Sequence, residues 1–388
     1  MSFYFTLNTG SSSVKFALYK AMDEPELFIS GCIERLGPSA RLKMQAPDGD
    51  IQQELGQVDH ASAVVTIFEK VEPYLKGRSV VGIGHRIVHG GNAFYKPTEL
   101  TANVVEELEQ LVPLAPLHQP YSLATIRAAK QVFPGVLQIG CFDTAFHAGH
   151  TFSNDAFAIP RRFYEEGVRR YGFHGLSFDY ICGEMRREYP QLANGRLVIA
   201  HLGNGASMCA VENGRSISAS TGFSAVDGLP MGTRCGRLDP GVMLYLMQEK
   251  KLSADEIEAI IYRQSGLLGL SEESSDMRVL EQSDALFAKQ AINYYCYQIR
   301  REVGAMAASL KGIDALVFSA GIGENSAHVR AKVCEPLEFL GISIDPAKNK
   351  ANAPEIGTGP VPVFIIPTNE EQVIARAIAQ ARTKARQS

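Results

Sequence analysis

Apolar runs and short polar breaks divide the chain into strand and helix candidates from its first residues. Phe3-Tyr4-Phe5-Thr6-Leu7 and Val14-Lys15-Phe16-Ala17-Leu18-Tyr19 are short, apolar and aromatic-rich, which predicts two strands joined by a polar hairpin turn. Glu26 to Arg35 and Arg41 to Gln45 predict further strands, set off by the turn residues Gly37-Pro38 and Pro47-Asp48-Gly49. Ala61 to Leu75 has helical spacing, and Val80 to Gly84 returns to strand. A proline-punctuated loop, Leu111 to Pro120, precedes a helix over Ser122 to Phe133 and a buried strand over Val136 to Phe142. Later, Leu197 to Leu202 and Met208 to Val211 predict strands on either side of Gly203-Asn204-Gly205-Ala206-Ser207. Asp284 to Leu310 predicts a buried or interface helix about 40 Å long at 1.5 Å per residue. Ala315 to Ala320 reads as a strand feeding a glycine turn, Gly321 to Asn325, and then a helix from Ser326. Val361 to Ile366 is the last strand, and Pro367-Thr368-Asn369-Glu370-Glu371 opens the closing helix, capped by Thr368 or Asn369.

Two of these patterns repeat. Leu7, Gly10 and Ser12 recur as Leu202, Gly205 and Ser207 at one constant offset of about half the chain, each set within strand, polar Gly/Ser turn and strand. An internal duplication is the natural reading. Each turn offers a glycine, hydroxyls and free N–H groups that suit anionic oxygens, so two similar halves could grip one polyphosphate from both sides. Neither turn is a Walker A loop, because no G-x-x-x-x-G-K-[ST] occurs. An ordinary Asn/Gly/Ser hairpin is the competing reading.

Composition narrows the class. At 388 residues and 45% hydrophobic content the chain can bury substantial cores, and its length suggests two domains. A net charge of −4 gives no electrostatic case for nucleic acid or for an anionic membrane surface, so an anionic ligand must be held by local groups. The 7 cysteines are scattered without a C-x-x-C pair, which argues for reduced thiols and a cytoplasmic protein. No signal-peptide pattern and no long uncharged apolar run is present, so neither secretion nor membrane spanning is expected.

Several polar positions are placed for chemistry. Arg86 stands at the end of a strand before Gly90-Gly91, where a guanidinium can meet a carboxylate or phosphate. His85 and His89 have the i,i+4 spacing of a metal pair, but only on a helix. Asp143 ends a buried strand, where α/β enzymes place metal ligands and catalytic acids, although an Asp there also caps turns. His174 lies among aromatic and glycine neighbours, as a structural or a catalytic histidine would. Arg234 and Arg237 occupy the glycine-spaced loop Met231 to Gly241, suited to phosphoryl oxygens or simply solvated. Glu370 is either a helix-start residue or a magnesium ligand acting through water.

Taken in order, the Asn-x-Gly-Ser-Ser-Ser start, GHRIVHGG, LAPLH, FDTAFH, YGFHG, HLGNGAS, GTRCG, AGIGEN and PTNEE resemble the acetate kinase family of the actin-like ATPase superfamily over essentially the whole chain. The resemblance implies an α/β protein of two duplicated actin-like (ribonuclease H-like) domains, with mixed five-stranded sheets around a central nucleotide cleft. Residues 1–150 plus the closing helix 370–388 would form the domain on the acyl-substrate and phosphate side. Residues 151–369 would bind nucleotide and dimerise. The implied reaction is reversible transfer of the ATP γ-phosphoryl group to acetate or another short carboxylate, with Mg²⁺, or Mn²⁺ in its place, in a cytoplasmic homodimer. By the family pattern Asn8 and Glu370 serve the metal, Ser11, Ser13 and Lys15 the phosphates, and Arg86 the carboxylate. Asp143, His174 and Arg234 are its catalytic residues, with Asp143 positioning rather than abstracting a proton, because acetate is already ionised at neutral pH. His201, Leu202, Gly203, Asn204 and Gly205, then Asp276, Met277 and Arg278, then Gly321, Ile322, Gly323, Glu324 and Asn325 contact the nucleotide. Val88, Leu117 and Phe173 wall the methyl-sized acyl pocket. One departure stands out: the family has Pro-Leu where this chain has Ala225-Val226, and a smaller side chain there opens the pocket toward propionate. A propionate or butyrate kinase is therefore the near alternative. An actin-like ATPase switch is the distant one, and it would leave Arg86 without a purpose.

Overall fold

The computed structural model describes residues 2–387; Met1 and Ser388, the outer limits of the first expected domain, lie outside the described residues. The chain divides into two compact units, one running to Phe146 and resuming at Asn369, the other spanning His147–Thr368.

The first unit is built on an eight-stranded sheet. Its strands are β1 (Phe3–Thr9), β2 (Ser13–Lys20), β3 (Glu26–Glu34), β4 (Gly37–Ala46), β5 (Gly49–Val58), β6 (Val80–Ile87), β7 (Thr98–Glu99) and β8 (Gln138–Phe142), in the order β5-β4-β3-β2-β1-β6-β8-β7. β1 is central, and every one of its residues is buried, as expected of a strand covered on both faces. One face packs on the His60–Leu75 and Gln119–Val132 helices through Phe5, Leu7, Ile67, Val71, Ala128 and Ala129. On the other face the Glu370–Gln387 helix lies so close that a Cβ on Gly82 would fall 2.3 Å from Ile378 and one on Gly84 2.2 Å from Ile374. Those two glycines in β6 therefore set how near the last helix can approach.

The second unit has a five-stranded sheet of β9 (Arg196–Leu202), β10 (Ala206–Glu212), β11 (Arg215–Ala219), β12 (Ala315–Ser319) and β13 (Val363–Ile365), in the order β11-β10-β9-β12-β13. The Leu286–Leu310 helix buries Ala288, Ala291, Ile292, Tyr295, Ile299, Val303 and Met306 against it, the three-and-four spacing of a core-facing stripe. The duplication is visible in the pairing. β3-β2-β1-β6-β8 and β11-β10-β9-β12-β13 share both order and direction: two antiparallel pairs, then two parallel ones. The first unit exceeds the expected five strands because β4 and β5 extend its meander and β7 pairs on β8. Among the described residues no helix is long and apolar enough to cross a membrane.

His85 lies on a strand, not on a helix, so the metal-pair spacing with His89 has no helical face to act on. The His85 ring is buried, its Nε2 donates to Gln138 Oε1 at 2.8 Å, and burial lowers its pKa to about 4 despite that bond. Burial also lowers His89 to about 4. Both rings bind a proton near 6.5 in the unfolded chain and only near 4 in the fold. Their contribution to stability is complete above pH 6.5 and lost as pH falls toward 4, by about 1.4 kcal/mol per pH unit for each ring. The urea midpoint is expected to fall between pH 7 and pH 5, with a shallower fall in His85→Gln; equal slopes in the two proteins would contradict this.

Candidate active site

Register lines up charge in the first unit. Lys15 of β2 faces Asn8 of β1, Asn8 faces Arg86 of β6, and Arg86 faces Cys141 of β8, so the three polar side chains form one row on the sheet face that carries the last helix. Asn8 thus belongs to the strand rather than to the turn. Arg86 grips Asp143 with two nitrogens, Nη2–Oδ2 at 2.6 Å and Nε–Oδ1 at 3.0 Å, and donates from Nη1 to Asn8 Oδ1 at 3.1 Å. Asn8 Nδ2 donates to Glu370 Oε2 at 2.9 Å and Glu371 Oε1 at 3.0 Å, and Arg86 Nε stands 3.7 Å from Glu370 Oε2. The side chains of Arg86 and Asp143 are only 16% and 1% exposed, so their charges act with little screening.

Burial opposes the Arg86 charge, but Asp143, Glu370 and Glu371 outweigh it and hold the guanidinium above its ordinary range. Burial raises the Asp143 carboxyl above its ordinary range, Arg86 pulls it back, and Glu370 raises it again. Asn8, Glu370 and Asp143 offer only hard oxygen donors, the chemistry Mg²⁺ selects. No group of three or more His, Cys, Asp or Glu among the described residues is spaced to hold a metal unaided. The set fits a cation held by one or two carboxylates together with water and phosphate oxygens.

The first turn closes by Gly10 N donating to Ser13 O at 2.8 Å, which leaves Ser11 exposed and Ser13 at the start of β2; Lys15 projects to solvent. His60 was missed in the sequence. Its Nε2 bonds the Gly10 carbonyl at 2.9 Å and its ring stacks on Tyr121 at 4.1 Å, which pins the turn. The partner ring lies too far along the chain for spacing to suggest it. Val88 is buried and Leu117 half-buried in this unit, while Phe173 is buried in the other.

In the second unit His174 adopts φ 59° at the N-cap of the Gly175–Glu188 helix, a left-handed conformation costly for a residue with a Cβ. Its Nδ1 lies 2.7 Å from Ser207 Oγ and its ring stacks on His201 at 4.3 Å. His201 Nδ1 lies 2.8 Å from Ser177 Oγ, which accepts from Thr368 Oγ1 at 2.8 Å. A Cβ on Gly205 would lie 3.2 Å from His174 Nε2 and 3.8 Å from Arg234 Nη1, so the bare glycine gives both nitrogens room beside the turn. Arg234 Nη1 donates to the Ala225 carbonyl at 2.8 Å. The backbone at the Ala225-Val226 departure therefore orients this arginine.

Gly203, Asn204, Asp276, Met277, Arg278, Gly321, Ile322 and Asn325 all line one cavity of about 680 Å³ in this unit, a volume suited to a nucleotide-sized ligand. Ser275, Glu281 and Ser326 complete its wall and were not anticipated. His201, Leu202, Gly205, Gly323 and Glu324 are outside that lining. Leu202 is core, Gly323 O accepts from the buried Arg330, and Glu324 accepts from Thr368 N. The expected glycine turn at 321–325 is a helix instead, Ala320–Asn325. The whole reversal falls on Ala320 at φ 63°, and Gly323 then packs flat against the Ala200 carbonyl and Leu202 Cβ, each 3.6 Å from where its own Cβ would be. Asn369 is the cap of the last helix, accepting from Gln372 N at 3.0 Å, which leaves Glu370 facing Asn8.

The class is a two-unit α/β protein of the actin-like type. The acetokinase family pattern matches residues 3–376, and the chain belongs to that family. An acetate kinase of Methylocella silvestris is 51% identical over 386 residues, 96% of each chain, and one of Rhodopseudomonas palustris is 46% identical over the same span. Among solved structures, a propionate kinase from Francisella tularensis superposes with a TM-score of 0.92 at 34% identity, covering 98% of this chain and 100% of its own. The acetate kinase of Porphyromonas gingivalis gives 0.88 at 37% identity, covering 98% and 99%.

Arg86→Ala would leave the buried Asp143 carboxyl without its counter-charge beside Glu370, and is expected to cost about 3 kcal/mol of stability in urea unfolding. The double variant Arg86→Ala/Asp143→Ala should recover part of that loss. A single variant as stable as the wild type would contradict the pairing.

Proposed function

We propose that the chain catalyses reversible in-line transfer of the γ-phosphoryl group of ATP to acetate, giving acetyl phosphate and ADP. The observation that carries this reading is the half-buried Arg86, fixed by Asp143, Asn8 and Glu370 at the strand ends of a chain whose relatives are acetate kinases. A guanidinium so held keeps N–H groups available for a second carboxylate, whereas a nucleotide switch has no use for one.

In the forward direction an acetate oxygen attacks the γ-phosphorus, the bond from that phosphorus to the bridging oxygen breaks, and ADP leaves with the electron pair. No proton need move, since the acceptor is ionised. Arg86 orients the carboxylate. Asp143 holds Arg86 and the acceptor in line, rather than acting as a base. Charge spreads over the equatorial oxygens of the transferring group, and His174 and Arg234 donate to it. Ser11, Ser13 and Lys15 hold phosphate oxygens, and the cavity lined by Gly203, Met277 and Ile322 takes the nucleoside. Asn8 and Glu370 would hold Mg²⁺, directly or through water; when bound, the ion neutralises phosphate charge. Val88, Leu117 and Phe173 limit the acyl group to a methyl or little more.

The protein acts in the cytoplasm as a homodimer. Supporting the first, all seven cysteines are free thiols. Supporting the second, Val242, Leu244, Tyr245 and Met247 of the Pro240–Gln248 helix and Phe287, Tyr294 and Tyr297 of the Leu286–Leu310 helix expose large apolar side chains.

Trapping of the acyl product as a hydroxamate, with ATP, Mg²⁺ and acetate, propionate or butyrate, tests the reading. Acetate is expected to lead propionate in kcat/KM by roughly 10-fold, the worth of one methylene in such a pocket. Propionate ahead would reverse the assignment, and no product from any short acid would leave an ATPase switch in its place. Arg234→Ala should lower kcat by roughly 10³-fold; near-normal turnover would remove that arginine from its role.

A further inference from the structure

Behind His174 stands a chain of polar groups with no part in the reaction as described. It begins at a defect in the sheet. Along the β10–β11 pair the register slips between Ala210 and Val211, so that Ser218 faces Ala210 and Ser216 faces Val211 while Ile217 is left over as a bulge. Asn154 Nδ2 donates to the Ile217 carbonyl at 2.6 Å. The bulge re-aims Ser216, as such irregularities do near functional sites.

Ser216 Oγ lies 2.8 Å from His147 Nδ1 and 2.8 Å from His150 Nε2, and His150 Nδ1 faces Asp155 Oδ1 at 3.4 Å. The other nitrogen of His147, Nε2, lies 3.0 Å from the carbonyl oxygen of Phe173. That carbonyl can only accept, so Nε2 carries the proton. Burial keeps the ring neutral, its pKa lowered to about 3, and Nδ1 is therefore a bare acceptor. The Ser216 hydroxyl is placed to donate there, and its oxygen is approached in turn by His150 Nε2 at 2.8 Å and by Cys209 Sγ at 3.2 Å.

The end of that chain is the segment on which His174 rests. Phe173 N donates to Thr221 Oγ1 at 3.1 Å, so the peptide is held from both sides. The His147 ring occupies the place of a Cβ on Gly172, 2.5 Å from where it would be, and Gly172 has φ +76°. His174 follows at once in its left-handed conformation. A residue held in a sparsely populated region stays there only while its neighbours fix it.

We propose that Ser216, with His150 behind it, is a positioning residue for phosphoryl transfer: acting through His147 on the Phe173 carbonyl, it holds the His174 imidazole in its working orientation. This rests on the role given to His174 above. None of Ser216, His150 and His147 has a place against substrate, so the effect is on the placement of a group that acts in the transition state. Such a loss appears in kcat rather than in KM.

The test uses the full-length protein. In Ser216→Ala, kcat is expected to fall about 10-fold with KM for ATP and for acetate within about two-fold of wild type. Ser216→Thr, which keeps the hydroxyl and suits a strand, should restore most of the rate. His150→Ala should match Ser216→Ala, and the double variant should lose no more than either alone, as members of one chain do. Wild-type kcat in Ser216→Ala, a loss that threonine does not repair, or a change confined to KM would overturn the proposal. ¹⁵N NMR of the histidines in the wild-type protein gives a readout independent of turnover. His147 as the neutral Nε2–H form supports the chain, and the Nδ1–H form overturns it even if no variant folds. Failure of the wild type to make acyl phosphate would remove the catalytic reading while leaving that spectrum decisive for the chain.

Discussion

A guanidinium largely withdrawn from water at the end of a β-strand has to be neutralised where it stands, and that constraint organises the first unit. Arg86 sits at the end of β6, and each group that answers its charge comes from a different stretch of sequence: Asp143 beyond β8, Asn8 on β1, Glu370 at the head of the last helix. An ion pair this deep stabilises little in itself, because desolvation offsets most of the attraction. What it provides is position. The return of the chain to the first unit after Thr368 brings in Glu370 and Glu371, and Gly82 and Gly84 give the returning helix the room to come close.

The same five-strand plan serves both units, but they carry different chemistry. In the first, the hairpin between β1 and β2 precedes a strand row of Lys15, Asn8 and Arg86. In the second, the equivalent hairpin between β9 and β10 has Gly205 where His174 and Arg234 need space, and Asn204 beside a nucleotide-sized cavity. A duplicated scaffold thus presents carboxylates and a half-buried cation in one copy, and neutral and cationic donors in the other. Phosphoryl transfer to a carboxylate calls for both, since acceptor and migrating group are each anionic.

Much of this was legible in the sequence wherever a local signal fixed the answer. The hairpins at Gly10 and Gly205, the Leu286–Leu310 helix and the strand ending at Asp143 all follow from apolar runs meeting polar or glycine breaks. β5 did not, because it is a solvated edge strand in which Ile51 and Leu55 alone hint at alternation. The Ala320–Asn325 helix was hidden by its glycines, which read as a turn, although the left-handed residue there is Ala320. Side-chain partnerships across long separations were out of reach altogether. His60 takes its role from Tyr121 and Gly10, and His147 from Ser216 and Phe173. Only the FDTAFH and YGFHG motifs marked that neighbourhood, and they say nothing of a hydroxyl aimed by a bulge.

The central claim is that the Arg86 cluster passes a phosphoryl group to or from a carboxylate without releasing it to water. ³¹P NMR of the protein with acetyl phosphate, ADP and Mg²⁺ tests it directly, in the direction that the greater transfer potential of an acyl phosphate favours. The acetyl phosphate resonance should fade as those of ATP grow in equal measure, with no inorganic phosphate beyond the enzyme-free rate. Inorganic phosphate accumulating in place of ATP would contradict the account.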